Sequence, residues 1–166
     1  MKSPYAGLRF AAVAAAFLMV AACSSTDETT AAATPSSSSS TVTPGTQADL
    51  VTNVGDRVFF DTDQSSLNDE AKATLQRQAA WAKLYPNLTF TLEGHADERG
   101  TREYNLALGG RRATAAKDFL VSLGVDGARI KTVSYGKERP VCLESSEDCW
   151  HQNRRAVTVV AEGAGS

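Results

Sequence analysis

Leu88-Thr89-Phe90-Thr91-Leu92-Glu93-Gly94-His95-Ala96-Asp97-Glu98-Arg99-Gly100-Thr101-Arg102-Glu103-Tyr104-Asn105-Leu106-Ala107-Leu108-Gly109-Gly110-Arg111-Arg112 is the stretch that decides the fold. Residues 88–92 alternate apolar and polar side chains, the period of a strand with one buried face. A polar loop bounded by Gly94 and Gly100 follows. Thr101 then marks a helix start, because its hydroxyl can accept a hydrogen bond from a backbone N–H that the first turn leaves unpaired, and Glu103 sets a negative charge at the positive end of the helix dipole. The helix carries the stripe Tyr104, Leu108, Arg112, Ala116, Leu120 and Leu123, and Gly124 stands just past its end as a C-cap.

Working outward, a short apolar strand over residues 57–60 comes first on the N-terminal side. Leu67-Asn68-Asp69-Glu70 supplies an N-cap with acids in the first turn, which predicts a helix over 69–84. Its stripe is Ala71, Leu75, Ala79 and Ala82, and Pro86 ends it. On the C-terminal side, strands over 130–135 and 156–160 flank an irregular stretch that holds two cysteines. The order is β-α-β-α-β-β, an α/β (α+β) sandwich with two main helices on a mixed sheet. The chain has 166 residues, room for one compact domain of about 100 to 150 residues plus a leader and a linker.

The leader is residues 1–22: Lys2 and Arg9, an apolar run from Phe10 to Val20, then small residues, the layout of a secretion signal. The run is short for a membrane span. It ends in Val20-Ala21-Ala22-Cys23, which resembles the lipobox of bacterial lipoproteins, where the cysteine thiol receives diacylglycerol. The other reading is ordinary cleavage near Ala22, leaving a spare cysteine. Residues 23–49 are Ser, Thr, Ala and Pro with almost no large apolar side chain, so nothing offsets chain entropy, and they read as a tether. A flexible coil of roughly 25 residues spans about 25 to 30 Å on average. The folded domain is expected over 50–162 and a tail over 163–166.

Loss of Lys2 and Arg9 with the leader takes the formal charge from −2 to −4, which gives no footprint for nucleic acid. With Cys23 used for the anchor, Cys142 and Cys149 remain as a pair in an oxidising compartment, where a disulfide between them is expected. A zinc site that adds His151 is the rival, but a fourth ligand is not evident. No cofactor, metal set or catalytic constellation is expected.

Arg112 stands where the helix stripe calls for an apolar residue, so its guanidinium is expected at the edge of the packed face, since an unpaired buried charge is costly. The loop fifteen residues earlier can bring Asp97 and Arg99 near the helix start. Two readings of Asp97 and Arg112 stay open on spacing alone: an internal ion pair, or a site for a zwitterion. His95 beside Asp97 and Glu98 suggests a metal or a general base, but loop neighbours do not make a ligand set, and a packing role is the expectation.

Gly94 to Leu108 with Arg111-Arg112-Ala113, Val58-Phe59-Phe60-Asp61, Val133 to Pro140 and Asn153-Arg154-Arg155-Ala156-Val157 together resemble the OmpA-like peptidoglycan-binding domain family, over about 57–160. Gly110 and the cysteine-closed loop depart from the family pattern. The resemblance implies a non-catalytic domain that binds the diaminopimelate of a peptidoglycan stem peptide, whose far end has an ammonium and a carboxylate on one carbon. Carried over by position, Asp97 takes the ammonium and Arg112 the carboxylate, with Asp63 a second acceptor, Arg99 a flanking donor, Leu108 an apolar wall and Thr62 nearby. Asn153, Arg154 and Arg155 are expected to close the last strand rather than touch ligand. The resemblance also implies a lipid-anchored protein on the periplasmic face of the outer membrane, Ser24 favouring that destination, with TolB and other Tol proteins as partners. A cell-wall hydrolase or amidase, a purely structural lipoprotein, and a stator or porin-associated anchor are the competing classes.

Overall fold

The computed structural model describes residues 42–161. The leader, Cys23, most of the tether and the tail lie outside the described residues. The chain enters with a turn of helix, α1 (Gln47–Asp49), that widens into Leu50–Val54. Then come β1 (Arg57–Phe59), α2 (Asp69–Leu84), β2 (Phe90–His95), α3 (Arg102–Ser122), a 3-10 turn (Gly127–Arg129), β3 (Ile130–Gly136), α4 (Glu147–Asn153) and β4 (Arg155–Val160). The sheet runs β1-β4-β2-β3. β2 and β3 are parallel, with Phe90 opposite Ile130, and α3 bridges them in the manner of a βαβ unit. β4 arrives last and lies antiparallel between β1 and β2, with Val58 opposite Ala156 and Leu92 opposite Thr158.

The helices start where the sequence places their caps. Asn68 Oδ1 accepts from the Ala71 N–H at 2.8 Å, Thr101 Oγ1 accepts from the Tyr104 N–H at 3.2 Å, and Gly124 takes φ +90° after α3. The expected stripe of α2 is buried throughout, packed with Val58, Phe60, Phe90, Leu92, Ala116 and Leu120 into one core. Of the α3 stripe, Leu108, Arg112, Ala116 and Leu120 are buried, but Tyr104 is exposed. α3 lies very close to β2, because two glycines meet there. A Cβ on Gly94 would stand 1.8 Å from the Gly109 carbonyl oxygen, and one on Gly109 2.8 Å from that of Gly94. Absence of side chains at both positions is what allows this contact.

Three boundaries differ from the sequence expectation by more than one residue. β2 begins at Phe90 rather than Leu88, because the Leu88 N–H bonds to Tyr85 O in a turn and Arg129 gathers the carbonyls of Ala82, Tyr85 and Leu88. It also continues through Gly94 and His95, which pair with β3, so the polar loop starts at Ala96. Ordered structure begins ahead of residue 50. Asp49 accepts from the Gly45 N–H, Asn53 Nδ2 and Trp81 Nε1 at 2.7 to 2.9 Å, and the Gln47 amide bonds Thr158 O and the Val160 N–H. α4 lies within the stretch expected to be irregular, beside a disulfide between Cys142 and Cys149.

Candidate functional site

The end of β2, the start of α3 and the loop after β1 converge on a cavity of about 290 Å³. Five of the six side chains nominated from the sequence line it: Thr62, Asp63, Asp97, Arg99 and Leu108. Gly100, Tyr104 and Asn105 complete the wall. Asp63 sits at φ +60°, a left-handed conformation that aspartate tolerates better than most residues, in a turn closed by the Gln64 N–H on Asp61 O. Its carboxylate accepts the Tyr104 hydroxyl hydrogen bond, and that bond raises the phenol pKa. Asn105 Nδ2 donates to Arg99 O at 2.6 Å and Lys137 Nζ to Glu98 O and Gly100 O, so the loop over the cavity is held from both sides.

Asp97 is 7 % exposed. Burial alone would raise its pKa, but hydrogen bonds from Arg99 outweigh burial and hold the carboxyl below the usual range. Arg99 Nε and Nη2 grip the two carboxylate oxygens at 3.0 and 2.6 Å, and its own backbone N–H adds a third bond at 3.1 Å. Arg154 Nη1 is a further cation 3.6 Å from Oδ2. The Arg99 guanidinium stacks 4.1 Å above the Trp150 ring and lies 4.0 Å from Glu147. Trp150 Nε1 and Ser145 Oγ both donate to Glu98, which lowers the Glu98 pKa. The disulfide-closed segment thus forms one flank of the Asp97 loop.

Arg112 is not at the edge of the packed face, and it does not line the cavity. Its side chain is fully buried. Nε donates to Gln64 O at 2.8 Å, Nη1 to His95 O at 2.9 Å and Nη2 to Asp61 O at 3.1 Å. These three carbonyls compensate the lost hydration, and the guanidinium packs over Phe60. Burial pulls its pKa down to about 10, with Asp97 and Asp63 pulling it back up, so it stays cationic at neutral pH and its field reaches the cavity. Three bonds use three of its five N–H groups. The internal ion pair considered for Asp97 is therefore made with Arg99 and Arg154, not with Arg112.

Arg154 Nε donates to Phe60 O and Nη2 to Glu147, and Arg155 reaches Asn153 O and Arg139 O. Asn153 binds the Val141 and Cys142 N–H groups and Cys142 O. These residues satisfy loop carbonyls as expected, and Arg154 additionally reaches the site. His95 is buried against Tyr135, and burial together with Arg155, Arg139 and Arg57 pulls its pKa down to about 4. Cys142 and Cys149 are bonded to each other, not to a metal. Among the described residues no group of three His, Cys, Asp or Glu side chains is placed to hold a metal ion, and no helix is long and apolar enough to cross a membrane.

The sequence matches the OmpA family over residues 59–155. The chain belongs to the OmpA family. Two similar relatives are the peptidoglycan-associated lipoproteins of Rhizobium meliloti strain 1021, 64 % identical over 124 residues, and of Agrobacterium fabrum, 62 % identical over 125 residues. Each alignment covers 75 % of this chain and 70 % of the relative. The crystal structure of the peptidoglycan-associated lipoprotein from Burkholderia pseudomallei is 46 % identical, superposes with a TM-score of 0.62, and covers 64 % of this chain and 90 % of that one. The C-terminal domain of Helicobacter pylori MotB, at 20 % identity and a TM-score of 0.61 over 66 % of this chain and 86 % of that one, shares the OmpA fold alone.

Within this OmpA-family site, sequence reasoning missed Tyr104, Asn105, Trp150 and Glu147. Spacing places Tyr104 on the apolar stripe, although it lies in the first turn of α3 and lines the cavity. Trp150 and Glu147 sit on a helix of seven residues, too short for periodicity to register.

Proposed function

We propose that the chain is a non-catalytic lipoprotein of the outer membrane, held by lipid on Cys23 with its domain in the periplasm, that links the membrane to peptidoglycan by binding the zwitterionic end of diaminopimelate. The observation that carries this reading is the cavity itself. Two carboxylates, Asp63 and Asp97, share one hollow with the Arg99 guanidinium, and both interact electrostatically with the buried cation Arg112. A ligand bearing an ammonium and a carboxylate on one carbon meets both signs of charge there at once. Asp97 takes the ammonium, the positive field of the buried Arg112 favours the carboxylate, Leu108 packs on the alkyl chain, and Asp63 and Thr62 flank it. Charge-assisted hydrogen bonds of this kind are short and strong. Kinship with peptidoglycan-associated lipoproteins supports the choice of ligand, and a place in the Tol-Pal envelope system of dividing cells, with TolB as partner, goes with it.

A wall hydrolase would need a nucleophile or base free to act at a scissile bond, whereas the two carboxylates of the cavity are engaged, Asp97 by Arg99 and Asp63 by the Tyr104 hydroxyl. Co-sedimentation of the whole chain, in detergent, with purified sacculi tests the proposal. Wild type is expected in the pellet and folded Asp97→Asn in the supernatant. A wild type that stays in the supernatant overturns the wall-anchor reading.

A further inference from the structure

Asp97, the anion that the proposed ligand needs, already holds a cation belonging to the chain. A carboxylate offers roughly four lone-pair directions, and Arg99 fills three of them. An incoming ammonium must therefore compete with Arg99. Of the three arginines near the site, Arg99 is the one free to yield. The guanidiniums of Arg112 and Arg154 are buried and bonded to backbone carbonyls, whereas the side chain of Arg99 is 38 % exposed and its guanidinium bonds only side chains, Asp97 and Thr62 Oγ1. It also has a place to stay. The indole of Trp150 lies 4.1 Å beneath it and Glu147 4.0 Å to its side, and the Cys142–Cys149 bridge and the bonds of Ser145 and Trp150 to Glu98 fix that surface.

We propose that Arg99 is the specificity-determining residue of this site, a built-in competitor that rejects ligands offering an ammonium alone and admits those whose ammonium comes with a carboxylate. The inference rests on the zwitterion reading above and goes beyond it. An ammonium-only ligand exchanges one charge-assisted pair for another, because the pair it forms with Asp97 replaces the pair Arg99 loses. A zwitterion forms two, since its carboxylate receives the displaced guanidinium while its ammonium takes Asp97. Discrimination then comes from a repulsive element set against the wrong ligand as well as from attraction to the right one. Trp150 is a positioning residue, keeping the released guanidinium at the rim of the cavity instead of losing it to solvent.

Two stem tripeptides differing at one residue test this: one ends in meso-diaminopimelate, the other in lysine, which has the ammonium without the neighbouring carboxylate. Both are titrated into the full-length chain, its variants Arg99→Gln and Trp150→Phe, with binding read by calorimetry and by tryptophan emission. The chain has two tryptophans, and Trp81 is buried away from the cavity on Asp49, so Trp150 reports the guanidinium. Wild type is expected to prefer the diaminopimelate peptide by about 30-fold, and Arg99→Gln by only about threefold, chiefly because the lysine peptide binds more tightly once its competitor is gone. Trp150→Phe, which keeps an aromatic face under the guanidinium, retains the preference. Emission changes on binding in wild type but not in Arg99→Gln. An unchanged preference in Arg99→Gln, a wild type that binds both peptides equally, or wild-type binding with silent emission overturns the inference while leaving the zwitterion site standing. A wild type that binds neither peptide overturns that site and this inference with it.

Discussion

Arg112 illustrates why depth is harder to read than direction. Four-residue spacing places it correctly on the inward face of α3, but burial depends on what covers that face, and the carbonyls of Asp61, Gln64 and His95 that accept its hydrogen bonds come from two other segments. Removing the guanidinium leaves those carbonyls without their donor, so Arg112→Ala is expected to lose about 3 kcal/mol of stability, measured by urea denaturation. Weak wall binding in that variant would then reflect unfolding as much as the site, and Asp97 is the better probe. His95 sets the pH behaviour. Its folded pKa is pulled down to about 4 from 6.5, so as pH falls below 6.5 the unfolded chain takes up a proton that the folded chain refuses. Stability is expected to drop by on the order of 3 kcal/mol between pH 6.5 and 4 and to level off below. Asp97, with its folded pKa depressed, contributes stability that is present above its unfolded value and lost as pH falls through the folded one, below most of the His95 window. Thermal melts across this range should show the upper limb vanish in His95→Gln.

At the scale of elements, caps and stripes carried most of the information. Asn68, Thr101 and Gly124 mark helix ends because each satisfies or terminates a specific set of backbone groups, and the helices occupy 69–84 and 102–122 accordingly. The Gly94 and Gly109 contact was invisible, because two glycines in different elements announce nothing until the elements pack. It yields opposite outcomes for neighbouring positions. Gly94→Ala places a methyl 1.8 Å from the Gly109 carbonyl oxygen and is expected to cost about 3 kcal/mol. Gly110→Ala meets only Ser134 Cβ at 3.9 Å and should gain about 1 kcal/mol from helix propensity. Denaturant midpoints with unchanged m-values would check both. The bridge between Cys142 and Cys149 closes a short loop, so the double serine variant should lose about 2.5 kcal/mol; an unchanged midpoint would show that Asn153 and the α4 contacts hold the segment alone.

Across the whole molecule, the β-α-β-α-β-β order was legible because each element has its own apolar period, whereas the parts that escaped are held by polar side chains. Thr46-Gln47-Ala48-Asp49 reads as tether by composition, yet Gln47 and Asp49 tie it to β4 and Trp81. α4 escaped because its seven residues are too few to show a period, and with it the flank of the site formed by Trp150 and Glu147. Five nominated residues meet at the cavity because strand end, loop and helix start bring one short sequence together with the turn after β1. The proposed function stands on Asp97 taking the ammonium of a zwitterion in this cavity. Calorimetric titration of a meso-diaminopimelate tripeptide into wild type and Asp97→Asn tests it most directly. At least a tenfold loss of affinity, on the order expected for one charge-assisted pair, in a variant that still melts as a folded protein is the predicted result, and equal affinities would contradict the account.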